Sequence, residues 1–177
     1  MKQLPINLKT ILNIMGIILM TIVAQAQQDK SKRPSPPDRT SADVDGLSVT
    51  IDYSQPGVKG RKIWDGLVPY GKVWRTGANE ASWIEVSEDV QIAGKTLPAG
   101  KYGLFTIPGE EEWTIIFNKT WDQWGAYEYD SEKDVLRVTA PSGKSDKFYE
   151  RFTIQVDNTG TVTMNWENLA VKFEISK

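Results

Sequence analysis

The chain has 177 residues, with 21 lysines and arginines against 23 aspartates and glutamates and a net charge of −2. So even a balance leaves no electrostatic footprint for tracking phosphates, and nucleic acid is not an expected partner. There is no cysteine and no histidine, which excludes disulfides, thiolate nucleophiles, Ser-His-Asp and Cys-His catalysis and the usual zinc sites.

The N-terminus has the layout of a secretory signal over residues 1–26. Lys2 and Lys9 make a basic start, Ile11 to Val23 an apolar stretch, and Ala24-Gln25-Ala26 a small-residue cleavage site. The apolar stretch holds Asn13 and falls short of the about 20 residues of a membrane span. Cleavage after Ala26 is therefore expected, leaving an exported protein with no membrane span, in the periplasm or outside the cell. No cysteine lies near the cut for lipid attachment.

Residues 27–43 carry Pro34, Pro36 and Pro37 among charged and polar residues and little that is apolar. They read as a disordered spacer. Residues 44–177 read as a single β-rich domain, a usual size for one core. Leu47, Val49, Ile51 and Tyr53 alternate with Ser48, Thr50 and Asp52, the period of a half-buried strand. A hairpin is expected at Ala93-Gly94-Lys95. Trp113, Ile115 and Phe117 form a core strand, as do Phe152, Ile154 and Val156. Asp157-Asn158-Thr159-Gly160 suits a tight turn. The next strand presents Val162, Met164 and Trp166, and the last Val171, Phe173 and Ile175.

Short alternating runs closed by turn residues predict an all-β fold, an antiparallel β-sandwich, with an open β-barrel as the alternative. Asn118 to Asp134 breaks the period and reads as one long irregular loop, with a helical turn after Thr120. Long loops on rigid β scaffolds are where binding residues concentrate.

Two segments are distinctive: Tyr53-Ser54-Gln55-Pro56-Gly57-Val58-Lys59-Gly60-Arg61, and Leu67-Val68-Pro69-Tyr70-Gly71-Lys72-Val73-Trp74-Arg75-Thr76-Gly77-Ala78-Asn79-Glu80. With Leu97-Pro98-Ala99-Gly100-Lys101-Tyr102, Ile107-Pro108-Gly109 and Trp113 to Asn118, they resemble the domain-of-unknown-function 2911 family of bacterial exported proteins. The resemblance covers essentially everything after the spacer. It brings no catalytic residue, because the family is named for its lack of an assigned activity.

Arg75, Asn79 and Glu80 are the sharpest candidates for a site. Arginine offers a planar fork for carboxylate or phosphate, asparagine donates and accepts, and glutamate accepts or acts as a base. The competing structural reading is an internal Arg75–Glu80 ion pair, with Asn79 bonded to the backbone of its own turn. Trp74 flanks this cluster, as does Trp64, while Trp121, Trp124 and Tyr127 lie in the long loop. Such aromatics line a ligand groove or form a satellite core under the loop. Trp113 and Trp166 are in phase with the core, and Trp83 is either exposed or covered by a loop.

Glu110-Glu111-Glu112 reads as a solvated turn. Asp130, Glu132 and Asp134 alternate without the glycine and ligand order of a calcium loop, so neither a metal nor a cofactor is expected. Three readings follow. The first is a non-catalytic envelope or secreted module for a small-molecule or carbohydrate ligand, a sugar or a small anion. The second is a carboxylate-based hydrolase acting through Glu80 with Arg75, and the third a structural or interaction module of the envelope.

Overall fold

The computed structural model describes residues 29–177, so the signal expected over 1–26 lies outside the described residues, as do Gln27 and Gln28. The chain divides at Arg33 into two compact units. In the described part of the first, Asp29 caps a single 3-10 turn, Lys30–Lys32, by accepting from the Ser31 amide. The second unit, Pro34–Lys177, is all β.

Its strands are β1 (Pro37–Val44), β2 (Leu47–Ser54), β3 (Trp83–Val86), β4 (Val90–Ile92), β5 (Lys95–Leu97), β6 (Gly100–Ile107), β7 (Glu112–Asn118), β8 (Asp134–Val156) and β9 (Thr161–Ser176). They form one antiparallel sheet in the order β1-β2-β3-β6-β7-β8-β9-β4-β5, which does not close into a barrel. The sandwich is this one sheet folded over itself. β8 enters alongside β7 and leaves alongside β9, with register shifts between Lys144 and Tyr149 and between Tyr149 and Thr153. Beyond those shifts its end approaches the first strands again, where the Tyr53 hydroxyl donates to the Ile154 carbonyl at 3.1 Å.

The alternation holds where it was clearest. Leu47, Val49, Ile51 and Tyr53 are buried in β2, and Trp113, Ile115 and Phe117 in β7, all within one hydrophobic core. That core joins both layers, since Phe117 meets Phe173 and Tyr53 meets Phe152, both edge to face. The predicted hairpin is present, with Ala93 and Gly94 at positive φ between β4 and β5. Val162, Met164 and Trp166 share a single strand with Val171, Phe173 and Ile175, rather than two separate strands. Glu167, at φ 53°, breaks the backbone there and shifts the inward phase from even to odd positions.

The disordered spacer is corrected over Pro37–Asp43, which pairs along its whole length with β2. Its inward residues are small or polar, so they left no apolar signal, but they are held by specific bonds. Asp38 accepts from the Tyr53 hydroxyl at 2.8 Å and from Gln55 at 2.9 Å, and Arg39 pairs with Asp52 at 2.7 Å. Among the described residues no helix is long and apolar enough to cross a membrane.

The irregular segment between β7 and β8 packs on the outer face of the sheet. It shields Phe105, Ile116 and Ala81 beneath Ala126 and Tyr129, a satellite core under a long loop. Its helical turn is Ser131–Lys133 rather than a turn after Thr120. Asp130 caps that turn, and Asp134 accepts from Asn118, Tyr129 and Arg137 at 2.7 Å each. These acids anchor the loop, and among the described residues no group of three or more acids is placed to hold a metal.

Burial, reinforced by the bond to Asp134, raises the Tyr129 hydroxyl to about 12. Because the folded-state value lies above the unfolded one near 10, this contribution to stability is complete below about pH 10 and is lost as the pH climbs toward 12. An absorbance titration of tyrosinate should therefore show Tyr129 ionising late. In Tyr129→Phe that late step should disappear, and an unchanged titration curve would refute the assignment.

Candidate functional site

Between β2 and β3 the chain runs through 28 residues without a named strand, yet it is fixed at many points. Trp74 pairs by backbone with Thr106 of β6, at 2.7 Å and 2.9 Å. The Ser82 hydroxyl donates to the Thr76 carbonyl at 2.7 Å, and the Thr76 hydroxyl to that of Thr106 at 3.1 Å. These bonds hold Thr76 at φ 55°, and Asn79 follows in the same turn at φ 60°. A buried β-branched residue in the left-handed region is strained, and the surroundings must over-determine it to keep it there.

This turn forms one wall of a cleft of about 310 Å³. Trp74, Arg75 and Asn79 line it, together with Arg61, Val68 and Trp166. Its aromatic floor is part of a four-tryptophan cluster. Trp74 stacks on Trp166 at 5.8 Å, and Trp64 stands edge-on to Trp74, Trp113 and Trp166.

The polar groups of this region are mostly donors. Trp74 gives its indole N–H to the Gly77 carbonyl at 3.1 Å. The indole N–H groups of Trp64, Trp113 and Trp166 are buried without a hydrogen-bond partner among the described residues, and so is Nε of Arg75. Burial is the main influence on the Arg75 guanidinium and lowers its pKa, with Tyr127 acting in the opposite direction. Arg75 makes no ion pair among the described residues. Asn79 does not bond to its own turn. Its side-chain amide reaches back to the Ser35 carbonyl at 2.9 Å and the Ser54 hydroxyl at 3.3 Å.

The long loop meets this wall through its backbone. Ala81 donates to the Gln123 carbonyl at 2.9 Å, Gly125 donates to the Asn79 carbonyl at 3.0 Å, and Glu80 and Trp124 form an antiparallel bridge. Glu80, Trp124 and Tyr127 thus stand next to the cleft without lining it. Trp121 is elsewhere, over the outer face of the sheet. Lys101 lies 3.5 Å from the centre of the Trp83 ring and 3.8 Å from that of Trp121, so two indoles clasp one ammonium, and Trp121 with Lys101 covers Trp83.

Sequence reasoning missed Arg61 as a lining residue and treated Trp166 as packing alone. Trp166 is core by phase and burial, and it is also cleft floor, a double role that strand periodicity cannot show. Arg61 lay within the distinctive segment, but its guanidinium is turned by bonds to the carbonyls of Gly57 and Val58, which only the fold reveals.

Comparisons with curated proteins and with solved structures give no match. The sequence profile of the family described as "Protein of unknown function (DUF2911)" matches residues 35–175, the span that contains every named strand except Ser176 at the end of β9 and every group lining the cleft, and the chain belongs to that family.

Proposed function

We propose that this chain is an exported, non-catalytic binding domain whose cleft takes a small ligand bearing a carboxylate or another oxyanion. The observation that carries the reading is Arg75, which lines the cleft without an ion pair and whose Nε is buried with no acceptor among the described residues. A buried donor left unmade costs about 1–3 kcal/mol, and more when the group is charged. An arginine kept under that penalty is accounted for by an acceptor that arrives from outside. Binding is favoured over hydrolysis because no carboxylate among the described residues lines the cleft, where a general base would have to sit.

Thermal shift with acetate, succinate, phosphate and glucose tests the cleft. One of the anions should raise the Tm and glucose should not, since a ligand at 100 times its Kd stabilises by about 2.7 kcal/mol. Arg75→Met should abolish that shift while leaving the free protein within about 1 kcal/mol of its starting stability, because it removes a charge that burial already penalises. An anion shift that persists in Arg75→Met would sink the reading.

Export is supported by the leader layout. Intact mass of protein recovered from the envelope or medium should correspond to a chain beginning at Gln27, and a mass that retains residues 1–26 would refute cleavage.

A further inference from the structure

Among the described residues, Trp124 and Tyr127 are the most exposed of the large apolar side chains, at 57% and 85%. Large aromatic rings left in water on a rigid frame mark an interaction site. The frame here is rigid because backbone bonds tie residues 123–125 to residues 79–81. Gly125 sets the spacing. At φ +66° it carries no side chain, and a Cβ there would lie 3.1 Å from the Tyr127 ring and 3.6 Å from Nη1 of Arg75. The guanidinium therefore faces the cleft on one side and the aromatic shelf on the other.

The flanks of the shelf are acidic. Asp122 and Glu128, which adjoin these rings in the chain, are exposed. Such a rim offers acceptors to hydroxyl groups and repels a second carboxylate. A contiguous protein partner would call for a broader apolar surface than two rings separated by Gly125 and Ala126. A sugar ring fits better, with an apolar C–H face for the aromatics and hydroxyls at its edge for the carboxylates. The cleft is at the small end of ligand pockets, which run from about 300 to 1,000 Å³, so a ligand of more than one ring must continue over the rim.

We infer that the ligand is a carboxylate-bearing saccharide of at least two rings, with its acid group at Arg75 and a neutral neighbouring ring on Trp124 and Tyr127. This rests on the binding reading above.

Calorimetric titration of the full-length protein with three probes tests it: cellobiouronic acid, glucuronic acid and cellobiose. Cellobiouronic acid should bind at least about tenfold tighter than either of the others. Trp124→Ala and Tyr127→Ala should bring it to within about twofold of glucuronic acid and leave glucuronic acid itself unchanged. Arg75→Met should remove the advantage of both acids over cellobiose. If the acidic disaccharide and monosaccharide bind equally, or if Trp124→Ala changes nothing while Arg75 is still required, the saccharide assignment is overturned and the anion cleft stands. Cellobiose binding as tightly as the acid would overturn the placing of the carboxylate. Failure of all three probes overturns the saccharide, and the simple-anion shifts decide the cleft separately.

Discussion

Trp166→Ala and Phe117→Ala should each lower the free energy of unfolding by about 3–5 kcal/mol, the range for truncating a buried aromatic. Trp166 is 1% exposed and packs against Trp64, Trp74 and Phe152, while Phe117 is fully buried and meets Phe173 across the two layers. Both changes open a void where the halves of the sheet meet. The indole N–H of Trp166 has no acceptor, so its removal returns about 1 kcal/mol, too little to offset the lost packing. Trp166→Phe separates the two effects, since it keeps most of the volume and discards the orphaned donor, and it should cost far less. On the outward positions of the same strand, Lys172→Ala and Glu174→Ala should stay within about 0.5 kcal/mol. Equal losses from inward and outward sets in urea unfolding would refute the inward phase of β7 and β9.

A chain beginning at Asp45 should be less stable than one beginning at Pro34 by about 3 kcal/mol or more, which corresponds to roughly 6–12 °C in Tm for a domain of this size. That truncation removes β1 and exposes the edge of β2 along the whole pairing from Pro37↔Ser54 to Val44↔Leu47. It also strips Tyr53 of Asp38, leaving a buried phenol with one partner fewer, and takes the Ser35 carbonyl from Asn79. The two chains, compared by calorimetry, give a direct reading. A Tm unchanged by loss of Pro34–Val44 would mean that the segment is the solvated spacer its composition suggests.

That contrast shows where sequence reasoning reached and where it stopped. Burial writes itself into a sequence only when the buried side chains are apolar. β2, β7 and the end of β9 were legible for that reason. β1 faces inward with Asp38, Thr40 and Ala42, and it is held by directed bonds instead. β8 was legible only over Phe152, Ile154 and Val156, because Pro141, Gly143 and a run of exposed charged residues interrupt the period between its two layers.

The site divides in the same way. Arg75 and Asn79 stood out because a turn has no need of their chemistry, and Trp74 because it adjoins them. Placing Trp121 with the other loop aromatics was a matter of proximity in sequence, and only the fold shows Lys101 holding it to Trp83. The partners of Asn79 lie 44 and 25 residues away, beyond anything that local spacing can indicate.

The wall of the cleft and the aromatic shelf are fastened to each other by main-chain bonds, Ala81 to Gln123 and Gly125 to Asn79. Main-chain attachments survive most exchanges of side chain. Under the proposed binding role, selection can therefore swap Trp124 or Tyr127 for other residues, and so retune recognition, with little disturbance of the scaffold beneath. Gly125 is the exception, since any Cβ there crowds the Tyr127 ring and strains a left-handed backbone. Across relatives that diverge in ligand, the shelf positions should drift while that glycine stays.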